Sequence, residues 1–192
     1  ITRLVVRDLE SGEQRTLPGT EGAYFPFFSP DGRRIGFFVG GDLKSVTVDG
    51  GAPSTLSSGL AYPTGAVWVS ADSVLVADQE GSRNVWVSPS GRARSLVPVP
   101  PPCDVAFRCV GVTDPDVLPG GEWALGSSFG YLSLLSLRGE GLRLLTPDGP
   151  VDPNPEYLPT VIRGYSPKFV APGILVYVPI EGNGLLASRF DP

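Results

Sequence analysis

The run Gly126-Ser127-Ser128-Phe129-Gly130 has the G-x-S-x-G spacing of a nucleophile elbow. That motif needs a strand-to-helix turn and a histidine to activate the serine. The chain has no histidine, and Tyr131 to Leu137 reads as strand, so a hairpin turn is expected. Gly182-x-Gly184-x-x-Ala187 follows an apolar strand in the manner of a dinucleotide fingerprint. Such a fingerprint opens a helix and is followed by an acid some 20 residues on. Here Leu185 to Phe190 reads as strand and the sequence ends at Pro192, so this too is expected to be a turn. Asp78, Glu80 and Ser82 alternate oxygen-bearing side chains of the kind calcium accepts, without the full EF-hand loop pattern. A solvated hairpin turn is the expectation there. Asp114, Asp116, Asp148 and Asp152 are loop acids with no ligand spacing.

The missing histidine removes Ser-His-Asp and Cys-His catalysis, His-ligated zinc and haem, and His-based pH switching. Cys103 and Cys109 are separated by five residues in a Pro-rich run. Their spacing permits a small disulfide-closed loop suited to an oxidising compartment, with two unrelated thiols as the alternative. Two cysteines without histidine make a poor metal site. No cofactor and no metal are expected, and the chain is read as non-enzymatic.

The net charge of −5 and pI near 4.7 argue against nucleic acid or an anionic membrane as partner, since both need a cationic footprint. No apolar run approaches the ~18 residues of a membrane span, so none is expected to insert. Gly (25) and Pro (21) are abundant but fall between β-rich runs, which indicates an all-β chain with many turns. The chain starts at Ile1 inside a strand-like run and lacks methionine, so a processed chain or a piece of a longer one is expected.

The elements that must position any site are clearest in residues 29–56, SPDGRRIGFFVGGDLKSVTVDGGAPSTL. The turn Ser29-Pro30-Asp31-Gly32 opens a strand from Arg34 to Val39. A Gly-Gly turn leads to a second strand from Leu43 to Val48, and the turn Asp49-Gly50-Gly51 to a short third one. Tyr24 to Phe28 would add a fourth strand. Asp in such turns accepts local backbone hydrogen bonds and Gly takes positive φ, so Ser29, Pro30, Asp31, Gly32, Asp49, Gly50 and Gly51 are assigned a structural role.

The same grammar recurs. A half-unit occupies 1–17, and units follow at 24–56, 66–97, 116–146 and 160–192, with Pro-rich loops at 98–113 and 147–159. A period of about 40–50 residues with four short strands per unit is the signature of a propeller blade. A lone four-stranded sheet cannot bury both faces, whereas stacked blades bury them against each other. Tyr24, Phe25, Phe27, Phe28, Phe37 and Phe38 are expected in the core between blades, with an exposed aromatic groove for peptide or glycan as the alternative. Trp68, Trp86 and Trp123 recur nearly once per unit, which favours packing.

SPDGRRIGFF…DLKSVTVDGG resembles the WD-like (PD40-type) repeat of TolB-type proteins. The longer run LVVRDLESGEQRTLPGTEGAYFPFFSPDGRRIGFF…LKSVTVDGGAPSTL is similar to the propeller found C-terminal to many bacterial serine/threonine kinases, and PDVLPGGEWAL and SPKFVAPGILVYV…GLLASRF fit its later blades. The resemblance implies an extracytoplasmic, bacterial propeller. The chain has no Gly-rich phosphate loop and no His-Arg-Asp triplet, so kinase activity is not implied.

The expected fold is therefore an all-β propeller of four-stranded antiparallel blades, roughly four blades' worth, either incomplete or a fragment. The expected function is binding, sensing or protein–protein assembly, with the long loops as the first place to look for recognition. A protein partner or self-association is expected, the alternative being a structural subunit that assembles through open blade edges. A third reading is a propeller hydrolase or lyase using Asp/Glu.

Overall fold

The computed structural model describes residues 1–78, 83–88, 92–95, 112–128, 130–151, 162–170 and 173–190. Among them there is no helix, and so none long and apolar enough to cross a membrane. The strands form five antiparallel sheets. The first pairs β1 (Val5–Arg7) with β2 (Gln14–Thr16). The second is β3 (Tyr24–Phe28), β4 (Arg34–Val39), β5 (Asp42–Thr47) and β6 (Ser54–Ser57). The third is β7 (Pro63–Trp68), β8 (Val74–Asp78), β9 (Arg83–Val87) and β10 (Ala93–Ser95). The fourth is β11 (Thr113–Val117), β12 (Trp123–Ser128), β13 (Tyr131–Ser136), β14 (Leu142–Thr146) and β15 (Gly149–Val151). The fifth is β16 (Gly164–Val170), β17 (Ile174–Pro179) and β18 (Leu186–Arg189). Within each sheet the strands are ordered as in the chain, the meander expected from the turn chemistry. The stretch read as the insertion 147–159 begins with β15, which pairs with β14 and gives the fourth sheet its extra strand.

Side chains alternate between the two faces of a strand, so one strand feeds two cores. Ile35 and Phe37 of β4 pack toward the first sheet with Leu4 and Leu17, and Phe38 packs toward the third sheet with Trp68, Val74 and Val76. Leu75 faces Ala124 and Leu135 of the fourth sheet, and Leu125 and Leu134 face Leu175 and Tyr177 of the fifth. Phe37 and Phe38 are fully buried, each contributing roughly 1.5–3 kcal/mol by leaving water. The sheets thus stack in a row without closing into a ring.

The joints between sheets are hydrogen-bonded as well as apolar. The Gly22 N–H donates to the Thr2 carbonyl and the Leu60 N–H to the Gly41 carbonyl, both at 2.9 Å. Asn84 is wholly buried; its Nδ2 donates to the Val112 carbonyl at 2.9 Å and its Oδ1 accepts from the Val112 N–H at 2.7 Å. Leu132 and Gly164 donate their N–H groups to the Ile162 and Gly130 carbonyls, each at 2.9 Å. Each connection into an inner strand is thereby fixed to the preceding sheet just before that strand begins. β3, β7, β11 and β16 consequently run side by side as the inner strands.

The Ser29-Pro30-Asp31-Gly32 turn closes with the Gly32 N–H on the Ser29 carbonyl at 2.8 Å. The buried Ser29 hydroxyl donates to Asp31 Oδ1 at 2.6 Å and accepts from the Arg34 N–H at 2.8 Å. The Ser29 hydrogen bond, then the Arg33 N–H and the Arg33 and Arg34 charges, hold the Asp31 carboxyl below its ordinary value. A depressed folded-state pKa adds stability above the unfolded value, lost as pH falls through the folded one. Ser29→Ala should return Asp31 toward ordinary titration, followed through its side-chain carbon by NMR, and cost about 1–2 kcal/mol for the lost buried hydrogen bonds. An unchanged Asp31 titration would refute the assignment. In the second turn, Asp49-Gly50-Gly51, Gly50 and Gly51 have φ of +100° and +125°, and the Thr47 hydroxyl donates to the Gly50 carbonyl.

Candidate functional site

The motifs that mimic catalytic sequences sit where they cannot act as such. Gly126, Ser127 and Ser128 belong to β12, and β13 follows where an elbow needs a helix. Ser127 Oγ, buried, donates to the Gly164 carbonyl at 2.8 Å and joins the fourth sheet to the fifth. Gly182 and Gly184, with φ of +98° and +108°, form the turn between β17 and β18, and Ala187 lies in β18. Asp78 is buried at the end of β8, where its Oδ1 accepts from the Tyr62 N–H at 3.1 Å; Glu80 and Ser82 lie outside the described residues. Asp148 sits in the β14–β15 turn, its N–H donating to Thr146 Oγ1 at 3.2 Å, and Asp152 lies outside the described residues. So do Cys103 and Cys109 and nearly all of 98–113. No three Asp, Glu, His or Cys side chains converge as a metal site among the described residues.

The aromatic residues divide. Phe37, Phe38 and Trp68 are buried, Phe27 and Trp86 pack against the cores, and Arg143 lies 4.8 Å over the half-buried Trp123 ring. Phe25 and Phe28 are exposed instead, at 49% and 62%.

A repeated device appears at the start of every inner strand. The register slips between Tyr24 and Phe27, Pro63 and Gly65, Thr113 and Asp116, and Tyr165 and Lys168. In three of the four strands the bulged residue has positive φ and precedes proline: Phe25 (+47°), Asp114 (+48°) and Ser166 (+47°), before Pro26, Pro115 and Pro167. Proline suits a bulge on an edge strand because it has no N–H to leave unpaired. Holding a non-glycine residue at positive φ costs of order 1–3 kcal/mol, and such strain concentrates where a side chain must be presented. The motif X-Pro ahead of each blade turn was visible in the sequence but is not a strand signal.

The bulges form a row. Asp114 Oδ2 accepts from Ser166 Oγ at 2.9 Å, linking β11 to β16. A Cβ on Gly65 would stand 3.3 Å from the Asp114 Cα, so β7 abuts Asp114 from the other side. Lower on the same strands, Asp116 Oδ2 accepts from the Phe169 N–H at 2.9 Å, and Lys168 Nζ stands 3.7 Å from Oδ1. At the other end of the row an open pocket of about 570 Å³ is lined by Tyr24, Gly40, Gly41, Ala61, Tyr62, Pro63 and Thr64. The Tyr24 hydroxyl donates to the Gly40 carbonyl at 2.5 Å, and burial raises this phenol above its ordinary value, keeping it a neutral donor. Tyr62 is 65% exposed. Tyr24 stacks edge-on to Phe25, with ring centroids 5.5 Å apart. The connections 58–62, 96–112 and 152–163 all lead into this end of the inner strands.

No family model matches the chain, and no curated protein matches it. Solved structures do. A catalytically inactive variant of virginiamycin B lyase from Staphylococcus aureus, with quinupristin, is similar with a TM-score of 0.57 and 16% identity over 94% of this chain and 60% of that one. The Cps50 (Swd1) β-propeller domain from Myceliophteria thermophila gives 0.62 and 14% over 90% and 56%. A streptogramin B lyase gives 0.57 and 14% over 95% and 60%. The chain therefore spans about three fifths of these structures' length. These likenesses correct the expectation of a non-enzymatic chain: lyases share this arrangement of sheets, so the fold gives no ground for excluding an enzyme. What they have in common with the chain is an all-β propeller architecture of antiparallel blades; in this chain the described sheets form a row that is not closed.

Proposed function

We propose that the chain is a propeller module that binds a partner on the face where its inner strands begin. The row of positive-φ bulges at Phe25, Asp114 and Ser166 carries this reading, because packing alone does not require three strained residues at one end of the strands. The pocket beside them supports it. A virginiamycin B lyase of this fold is seen with quinupristin, which supports ligand binding by such a scaffold. The turn grammar of Ser29 to Gly32 supports the finer assignment to TolB-type repeats. The test is amide-shift mapping with pools of short peptides and of oligosaccharides. Shifts should concentrate at 24–25, 40–41, 61–65, 113–114 and 165–166. Shifts confined to the opposite turns, at 30–32, 70–73 and 119–121, or none at all, would overturn the reading.

A second reading, self-assembly, rests on the last sheet. Tyr165, Val170, Ile174 and Val178 are exposed large hydrophobic residues, and the register pairs Tyr165 with Val178 and Val170 with Ile174 on one face. On the fourth sheet the corresponding face, with Leu125 and Ser127, is buried by the fifth. A second copy would cover the open face in the same way. Light scattering should then show mass rising with concentration above 20.2 kDa, and Val178→Lys should abolish the rise. A wild-type chain that stays monomeric throughout would end this reading.

A further inference from the structure

We infer that the binding face takes a cationic side chain, the guanidinium or ammonium of a basic peptide segment, at Asp114; this rests on the face being the binding surface. Asp114 is half-buried at the centre of the inner strands, between β7 and β16. One carboxylate oxygen accepts from Ser166 Oγ at 2.9 Å. Among the described residues no Lys or Arg pairs with Asp114, whereas its neighbour Asp116 has both Lys168 and the Phe169 N–H. Asp114 is thus an acceptor held in place by one hydroxyl, with no cationic side chain paired to it among the described residues. A carboxylate in such a place favours a charged donor, which makes shorter and stronger hydrogen bonds than a neutral one.

The surroundings fit the rest of such a ligand. Gly65 abuts Asp114, and the next residue back, Thr64, lines the pocket. The pocket adds the Tyr24 and Tyr62 rings, and the exposed Phe25 ring stands beside Tyr24. Aromatic faces attract cations and accept the aliphatic stems of Lys and Arg. The Gly40-Gly41 turn supplies backbone close to the pocket without side chains, and a side chain at Gly41 would run into the Leu60 carbonyl. An extended peptide could therefore lie across β3 and β7 and deliver its cation to Asp114. The acidic balance of the chain, −5, favours the approach of a basic partner.

The probes are N-acetyl-arginine amide and its neutral isostere N-acetyl-citrulline amide, titrated by amide shifts at 64, 114 and 166. The arginine probe should bind about tenfold or more tightly than the citrulline probe. Asp114→Asn should reduce arginine binding to the citrulline level. Asparagine tolerates positive φ at least as well as aspartate and can still accept from Ser166, so this variant is expected to fold, and an unchanged melting temperature checks it. Ser166→Ala leaves the charge and should weaken binding far less. Equal binding of the two probes, or arginine binding that survives Asp114→Asn, overturns the inference. If neutral methyl glycosides shift the face residues and the arginine probe does not, the cation assignment falls and the binding face stands. If no probe or pool shifts the face, both fall.

Discussion

Asn84→Leu should destabilise the chain by about 2–5 kcal/mol, read as a lower denaturant midpoint. Asn84 has no solvent exposure, and its amide exchanges two hydrogen bonds with the Val112 backbone, as a neighbouring strand would. Leucine has a similar volume and no polar atoms. The Val112 N–H and carbonyl would then be buried without these partners at the joint between the third and fourth sheets. Leaving each buried group unsatisfied costs roughly 1–3 kcal/mol, because water cannot replace what is lost. Asn84→Asp keeps an acceptor for the Val112 N–H but sets a carboxylate oxygen against the Val112 carbonyl, so it should not rescue. The Val112 amide should also lose protection against hydrogen exchange before the strand interiors do. A leucine variant within about 0.5 kcal/mol of wild type would show that the amide pair is dispensable.

The propeller architecture was legible because its signals are local. The turn residues Ser29 to Gly32 and the alternation in Arg34 to Val39 act within a few residues of each other, and the structure places a turn and a strand there. The Asn84–Val112 pair was not legible, since it joins residues 28 apart and nothing in a buried polar residue of β9 names its partner. The inner-strand bulges were half legible. Sequence reasoning started two repeats at Ala66 and Asp116, whereas β7 and β11 begin at Pro63 and Thr113. Pro63 and Pro115 lie in the parts of these strands that the repeat boundaries left out, and at a bulged inner edge proline is permitted. Asp114 therefore read as a loop acid without a pattern. Its significance comes from Ser166 and Gly65, which reach it only through the stacking of β7, β11 and β16.

Gly126→Ala should cost about 2–4 kcal/mol, although alanine is a minor change for most strand positions. Gly126 sits within β12, paired with Ser133, and its φ does not demand glycine. The requirement is space between sheets. A Cβ there would overlap the Val112 Cβ and stand 2.7 Å from Val112 Cγ2 and 2.8 Å from the Thr113 carbonyl oxygen. Val112 is 1% exposed and its backbone is held by Asn84, so it cannot move aside without stretching the bonds at 2.7 and 2.9 Å. The glycine read first as part of a nucleophile motif is thus the floor on which β11 enters its sheet. Two consequences separate this account from a general loss of strand stability. Val112→Gly removes the overlapping atom, so the double variant should be less destabilised than the sum of the single ones by about 1 kcal/mol or more. Thr113 adjoins Asp114, so the alanine variant should also displace the Asp114 amide resonance and weaken arginine-probe binding, while the distant Ser29–Asp31 turn keeps its shifts. Strict additivity with Val112→Gly, together with an undisturbed Asp114, would mean that Gly126 acts on its own strand alone and that the joint does not set the inner-strand face.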